Sequence, residues 1–161
     1  MPIDGILSVL TLGAALGCGL MGGLFFAFSV AVMRALARLP AAQGIAAMQS
    51  INLVILNPVF LATFLGTAAA CVVLIAASLL RWQEPGAGYL LVGGVLYLVG
   101  NMLVTMVFNV PLNDRLAAVA PGDPAAAGLW ADYLTTWTAW NHVRTATGLA
   151  AAAALTIGLR L

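Results

Sequence analysis

The chain has 161 residues, of which 63% are hydrophobic and 7% are charged, and its formal net charge at pH 7 is +1. Soluble domains contain about 25% charged residues, so this composition excludes a water-soluble fold and predicts an integral membrane protein with the lipid bilayer as its solvent. The chain has no basic patch, so no nucleic acid is expected as a partner.

Four apolar stretches are long enough to cross the bilayer, whose hydrocarbon core of roughly 30 Å takes about 20 helical residues. They cover approximately residues 5–33, 54–80, 88–110 and 137–159. Transmembrane strands would instead show short segments of alternating polarity. The sequence therefore predicts an all-α fold, with a single domain over residues 1–161 that forms an up-down bundle of four transmembrane helices.

The first stretch contains a GxxxG motif, Gly13 and Gly17, which lets a second helix approach closely. Packing within the chain and formation of a homo-oligomer both account for this motif. The N-terminal MPID lacks the positive charge of a signal peptide, so this stretch is expected to remain as a span. Cys18 and Cys71 lie in apolar surroundings without a metal-binding spacing, and both are expected to be buried as small apolar side chains.

The arginines are distributed unequally between the two faces of the predicted bundle. The face with the two longer loops has Arg34, Arg38, Arg115 and Arg144, whereas the other has Arg81 and Arg160. Because cytoplasmic loops are enriched in positive charge, both termini are expected outside. The composition is rich in alanine and arginine and lacks lysine, which is typical of a GC-rich bacterium, so the bacterial inner membrane is the expected location.

Polar residues recur at every fourth position of the third stretch, at Asn101, Thr105, Asn109 and Asn113. Each step of four residues turns about 40° around an α-helix, so the four side chains form a slowly drifting stripe. Asn101 is near mid-bilayer, where an unpaired amide is costly. It either bonds to a neighbouring helix or lines a site.

Polar residues also mark the beginnings of the second and fourth stretches. Asn57 precedes Pro58, and it either caps a helix or contributes to a site. Trp140 and Arg144 are four residues apart on one helical face, where a guanidinium can stack on an indole. Asp114 is the predicted ion-pair partner of Arg144, although a long arginine side chain can also snorkel outward.

In a bundle of alternating helices, most of these polar residues share one half of the membrane. This asymmetry predicts a pocket that opens on the face with the two longer loops. Its predicted apolar floor is Phe25, Phe28, Met102, Met106 and Phe108.

The residue types in this half suit an oxygen-rich aromatic ligand. His142 and Arg144 are the predicted catalytic residues, with His142 as a base and Arg144 stabilising an oxyanion. The predicted ligand-binding residues are Asn57, Asn101, Asn109, Asn113, Trp140 and Asn141. No metal motif occurs and no cofactor is expected, although a single histidine such as His142 is sufficient to ligate a haem.

Three motifs resemble the anthrone oxygenase family of small four-helix membrane proteins, which is largely filed as a domain of unknown function. They are NPVFLATFLG in the second stretch, NVPLNDRLA after the third, and WNHVRTATG at the beginning of the fourth, and the resemblance covers roughly residues 10–158. The matching signature positions are Asn109, Pro111, Asn113, Trp140, Asn141 and Arg144. Fungal members oxidise anthrones to anthraquinones with O₂ and no obvious cofactor.

The resemblance implies a cofactor-independent oxygenase that acts on a lipophilic phenolic or anthrone-like substrate. The alternatives are a non-catalytic membrane scaffold or lipid- or quinone-binding protein, and a haem-binding membrane protein that uses His142.

Overall fold

A computed structural model describes residues 3–161, with side chains from residue 5 onward. These residues form five helices, which confirms the predicted all-α fold class. Helix α1 consists of Ile3–Ala27, a π-helical segment Phe28–Val32 and a last turn Met33–Leu36. Helices α2, α3 and α5 are uninterrupted and cover Ala41–Val54, Pro58–Leu80 and Ala126–Gly158. Helix α4 begins with Ala87–Tyr97, continues through the π-helical segments Leu98–Leu103 and Thr105–Asn109, and ends with Val110–Ala117.

Three helical segments have the length and apolar composition of a membrane span, at Gly5–Leu36, Pro58–Leu80 and Ala87–Ala117. They coincide with the first three predicted stretches. The fourth predicted stretch lies within α5, which does not reach the same apolarity because polar residues, among them Asn141 and Arg144, interrupt it. The described chain therefore has three helices suited to cross a membrane, and a fourth span stays a prediction.

Local sequence explains where α3 and α4 begin. Asn57 Oδ1 accepts hydrogen bonds from the backbone N–H groups of Val59 at 3.1 Å and Phe60 at 3.0 Å, and Pro58 occupies the first turn. This is an N-cap, so Asn57 is explained by helix initiation. Before α4, Gly86 has φ +86, and a Cβ there would lie 2.7 Å from a backbone oxygen of α5, so the turn requires glycine.

Helix α5 packs against α1 and α4, and α3 packs against the other side of the same two helices. Near the middle of these contacts, Cys18, Cys71 and Tyr97 are fully buried, as the sequence predicts for the two cysteines. A second apolar cluster includes Trp130, which is buried and so does not belong to the exposed aromatic belt that Trp and Tyr residues typically form.

Helix α2 covers the second cluster at the face with the two longer loops. A Cβ at Gly44 would lie 2.8 Å from the Trp130 ring, so the glycine allows α2 to approach α5 closely. Gln49 Nε2 donates to the carbonyl oxygens of Leu116 at 2.8 Å and Val119 at 3.0 Å. These bonds attach α2 to the end of α4.

The π-helical segments of α4 correct the drift of its polar stripe. Four residues slightly exceed one turn of an α-helix, whereas the i→i+5 hydrogen bonds of a π-helix give a wider turn that four residues do not complete. The drift therefore reverses within the π-helical segments. As a result, all four residues of the stripe face α5 and are hydrogen-bonded to it, namely Asn101, Thr105, Asn109 and Asn113.

Packing within the chain explains one of the two glycines of the GxxxG motif. A Cβ at Gly17 would overlap the side chain of Thr67 on α3, whereas a Cβ at Gly13 would meet nothing within 4 Å. Gly17 is therefore explained by the α1–α3 contact. A homo-oligomer that uses Gly13 and Gly17 stays a prediction.

Gly100 provides a test of the close contact between α4 and α5. A Cβ at Gly100 would overlap the Thr147 side chain, whereas one at Gly66 would meet nothing within 4 Å. Overpacking costs about 1–3 kcal/mol, so Gly100→Ala is expected to lower the thermal unfolding midpoint in detergent by about 2–12 °C. Gly66→Ala is the control and should not lower it. Equal midpoints for the two variants would contradict the tight contact.

Candidate ligand site around Arg144

The guanidinium of Arg144 is buried in the interior of the helix bundle, with only 5% of the residue exposed. Its NH2 donates to Asn141 Oδ1 at 2.7 Å and its NH1 donates to Thr105 Oγ1 at 3.2 Å. The guanidinium carbon lies 4.2 Å from the centre of the Phe25 ring and 5.0 Å from that of Trp137. Neutral dipoles and aromatic faces therefore stabilise this positive charge.

The predicted ion pair between Arg144 and Asp114 is wrong. Asp114 is exposed, and among the described residues the carboxylate that forms a salt bridge is Glu84, with Arg81, near the opposite end of the helices. Asp114 follows Asn113 on α4, so it turns away from the side that faces α5. The charge of Arg144 thus has no carboxylate partner within the described chain.

Asn141 ties Arg144 to α1. Its Nδ2 donates to the carbonyl oxygen of Phe25 at 2.7 Å and to Ser29 Oγ at 2.8 Å, and the whole residue is inaccessible to solvent. Ser29 belongs to the π-helical segment of α1, and Thr105 belongs to a π-helical segment of α4. π-helical turns are rare and frequently occur at functional sites, and here two of them flank the same buried arginine.

The polar stripe of α4 continues along α5 on both sides of Arg144. Asn101 Nδ2 donates to Thr147 Oγ1 at 3.2 Å, and Asn109 Nδ2 donates to the carbonyl oxygen of Trp137 at 3.2 Å. Asn101 and Asn109 are almost completely buried, and the Oδ1 atom of each has no hydrogen-bond partner among the described residues. Both amides connect helices, and neither lines the cavity next to Arg144.

At the end of the stripe, Asn113 Oδ1 accepts two hydrogen bonds from α5. The Tyr133 hydroxyl donates at 2.8 Å and Trp137 Nε1 at 2.9 Å. Burial raises the pKa of Tyr133, although a hydrogen bond from Asn52 and the charge of Arg144 act in the opposite direction. The phenol therefore remains protonated at neutral pH and can donate to Asn113.

A cavity of about 100 Å³ lies beside the guanidinium, enclosed by α1, α2, the beginning of α3, α4 and α5. Its polar groups come from Asn52, Thr105, Asn113 and Arg144. Its apolar wall consists of Leu24, Phe25, Phe28, Met48, Ile51, Ile55, Leu56, Phe60 and Trp137. Arg144 is the sole ionisable side chain among these lining residues.

The cavity is in the predicted half of the bundle but has a different floor. Phe25 and Phe28 line it as expected. Met102, Met106 and Phe108 do not, because the π-helical winding of α4 turns them away; Met106 is exposed. The predicted floor is therefore correct for α1 and wrong for α4.

Besides Asn101, Asn109 and Asn141, three more predicted site residues do not line the cavity. Asn57 is the exposed cap of α3. Trp140 stacks on Phe108, with ring centroids 3.5 Å apart, so the ring beside Arg144 is Trp137 instead. His142 is exposed on the outer side of α5, so its predicted role as a base has no support from the cavity.

Other residues of the site were not predicted from the sequence. Trp137 is three residues before Trp140, and the choice between the two depends on the rotation of α5. Asn52 precedes the cap residue Asn57, and the sequence has no spacing that places it in the cavity. Ser29 has no motif around it, and the pattern gave no signal that would identify it.

A family model of anthrone oxygenases matches residues 57–154, which is more than half of the chain. The chain belongs to the anthrone oxygenase family. The match confirms the resemblance seen in the motifs, and it includes the residues from α4 and α5 that surround Arg144. No curated protein and no solved structure was found to match the chain.

This family member also has a larger cavity, of about 480 Å³, near the opposite end of the helices. The hydroxyls of Thr11 and Ser78 donate to carbonyl oxygens of their own helices at 2.8 and 2.7 Å, and Arg81 pairs with Glu84 at 2.8 Å. The polar groups that line this cavity are thus engaged locally. The smaller cavity is the better candidate site because a buried cation borders it, without a carboxylate partner among the described residues.

Asn141 and His142 are adjacent on α5, and substituting each one tests which of the two side chains faces the site. Asn141→Leu removes the partners of Arg144, Ser29 and the Phe25 carbonyl, and it is expected to lower the free energy of unfolding by about 2–5 kcal/mol. His142→Leu changes an exposed side chain, so an effect within about 0.5 kcal/mol is expected. Unfolding of both variants in detergent checks this pair. Similar losses for the two would contradict the inward position of Asn141.

Proposed function

We propose that this anthrone oxygenase family member is a four-span protein of the bacterial inner membrane that binds a lipophilic, oxygen-bearing aromatic molecule beside Arg144. There it promotes oxidation of the substrate by O₂. The observation that carries the proposal is the buried guanidinium, which has no carboxylate partner among the described residues and borders a cavity with aromatic walls.

Helix α5 is the proposed fourth span. It packs along α1 and α4, two helices that are suited to cross a membrane. Its polar residues Asn141 and Arg144 point to other helices and away from lipid, which is how bundles accommodate polar groups inside a bilayer. With four spans, the arginine distribution favours both termini outside.

The chemistry of the cavity favours a phenolic or anthrone-like ligand. Phe25, Phe28 and Trp137 provide aromatic contacts for a planar ring, and the guanidinium provides donors for its oxygens. The nearby polar atoms of Thr105 and Asn113 add further hydrogen bonds.

The proposed reaction converts a methylene group of an anthrone into a ketone. A proton leaves the methylene carbon, and Arg144 stabilises the negative charge that spreads to the ring oxygen. The carbanion donates electrons to O₂ and forms a carbon–oxygen bond, and a proton completes the hydroperoxide. Loss of the second hydrogen as a proton and cleavage of the O–O bond then release water, so R₂CH₂ and O₂ give R₂C=O and H₂O.

The second candidate function is binding of such a molecule without catalysis. Arg144 is the sole ionisable group among the described residues that line the cavity, and none of their side chains is an obvious proton acceptor. In the catalytic case, water accepts the proton, and Arg144 lowers the pKa of the substrate methylene group by stabilising its anion. A haem held by His142 is a third possibility, and a Soret band in the visible spectrum of the purified protein would identify it.

Oxygen uptake with 1,8-dihydroxyanthrone tests the oxygenase proposal. The wild-type protein in vesicles is expected to accelerate both O₂ consumption and anthraquinone formation above the spontaneous rate. Arg144→Gln should lower the protein-dependent rate by about 10²–10³-fold, since it removes a charge aligned with the developing oxyanion. Arg115→Gln removes an exposed arginine outside the cavity and should leave the rate unchanged.

The same assay separates the two candidate functions. Binding of the anthrone to Arg144 without acceleration of its oxidation would establish the non-catalytic alternative. Equal rates for wild type and Arg144→Gln, with both proteins folded, would contradict a role of Arg144 in oxidation.

A further inference from the structure

The orientation of the Asn113 amide follows from the chemistry of its partners. Trp137 Nε1 lies 2.9 Å from one amide atom, and an indole N–H can only donate. That atom therefore has to be the oxygen, which also accepts from the Tyr133 hydroxyl. The Asn113 nitrogen must point away from both rings, and no described residue accepts a hydrogen bond from it.

Arg144 adds further donors on the same cavity wall. A guanidinium has N–H donors and no acceptor. Thr105 and Asn141 each accept one of its hydrogen bonds, and the buried Nε has no partner among the described residues. Arg144 and Asn113, contributed by α5 and α4, both line the cavity.

We infer that Arg144 and Asn113 together select a ligand that binds as an anion and accepts hydrogen bonds from both side chains, namely an aromatic phenolate or enolate. Tyr133 and Trp137 are positioning residues, because they hold the Asn113 amide with its N–H groups toward the ligand. This inference rests on the proposed role of the cavity as the ligand site.

The pH at which a bound phenol ionises measures this selection directly. Lipid alone disfavours the charged form and raises the ionisation midpoint of a dissolved phenol. A buried cation and an aligned amide donor have the opposite effect. The site is therefore expected to hold a phenol as its anion at a pH where the surrounding lipid holds it neutral.

The probe is 4-nitrophenol, whose ionised form alone is yellow. It is titrated in vesicles that contain the full-length protein and in empty vesicles, both without oxygen. We expect the bound probe to ionise at least about one pH unit lower than the probe in empty vesicles, which corresponds to a tenfold preference for the anion. Nitrobenzene, which lacks the hydroxyl, should bind at least about tenfold more weakly.

Substitutions at Asn113 test the second donor. Asn113→Asp replaces the N–H groups by a carboxylate oxygen and should abolish the downward shift. Asn113→Leu removes the donor without adding charge, and it keeps the test decisive if the aspartate variant does not fold. Asn57→Asp is the matched control at an exposed helix cap, where aspartate is equally suitable. A normal shift in both Asn113 variants would overturn the inference.

The double variant Tyr133→Phe/Trp137→Phe tests the positioning role. Without both donors the Asn113 amide is free to rotate, so the midpoint of the bound probe should move back toward that in empty vesicles. A purely structural role predicts lower thermal stability with an unchanged midpoint, and that result would contradict the positioning role.

The experiment also distinguishes this inference from the proposed oxidation. Probe binding with the expected shift, but without oxidation of 1,8-dihydroxyanthrone, would contradict the oxygenase function alone. Probe binding without a shift would contradict anion selection alone. Failure of the probe to bind would contradict both the cavity as a ligand site and this inference.

Discussion

The positive charge of Arg144 is enclosed among apolar helices, and no carboxylate of the described residues pairs with it. This charge is the constraint on which the polar architecture depends. Moving a charged group out of water is costly unless it is paired or well solvated by dipoles. Here the dipoles come from Asn141 and Thr105, and the rings of Phe25 and Trp137 cover the faces of the guanidinium. A single side chain on α5 therefore determines which residues α1 and α4 have to present to it.

The backbone is shaped around the same requirement. A straight α-helix would carry residues at every fourth position gradually away from α5, whereas the π-helical segments of α4 bring them back into line. The π-helical segment of α1 contains Ser29, which receives a hydrogen bond from Asn141. Helix α2, bonded through Gln49 to the end of α4, then closes the cavity from the loop side.

Much of this organisation could be predicted from the sequence because it depends on periodicity and composition. The apolar stretches gave the positions of three helices suited to span a membrane, and the spacing from Asn101 to Asn113 gave the stripe that faces α5. The choice between Trp137 and Trp140 could not be predicted, since it depends on helix rotation. Residues of α1 such as Ser29 could not be predicted either, because a serine in an apolar helix has no pattern that reveals its partner.

The balance of charge in the cavity connects ligand binding with turnover in the proposed reaction. Neutral groups already solvate Arg144, so an anionic ligand gains the attraction of the cation without first having to displace a carboxylate. Oxidation consumes the negative charge of the carbanion and leaves a neutral ketone at that position. In the proposed reaction, the product therefore lacks the carbanion charge that Arg144 would stabilise in the reacting anion. The proposed reaction thus uses the fixed charge of Arg144 to favour the reactive anion, and it requires no movement of Arg144 itself.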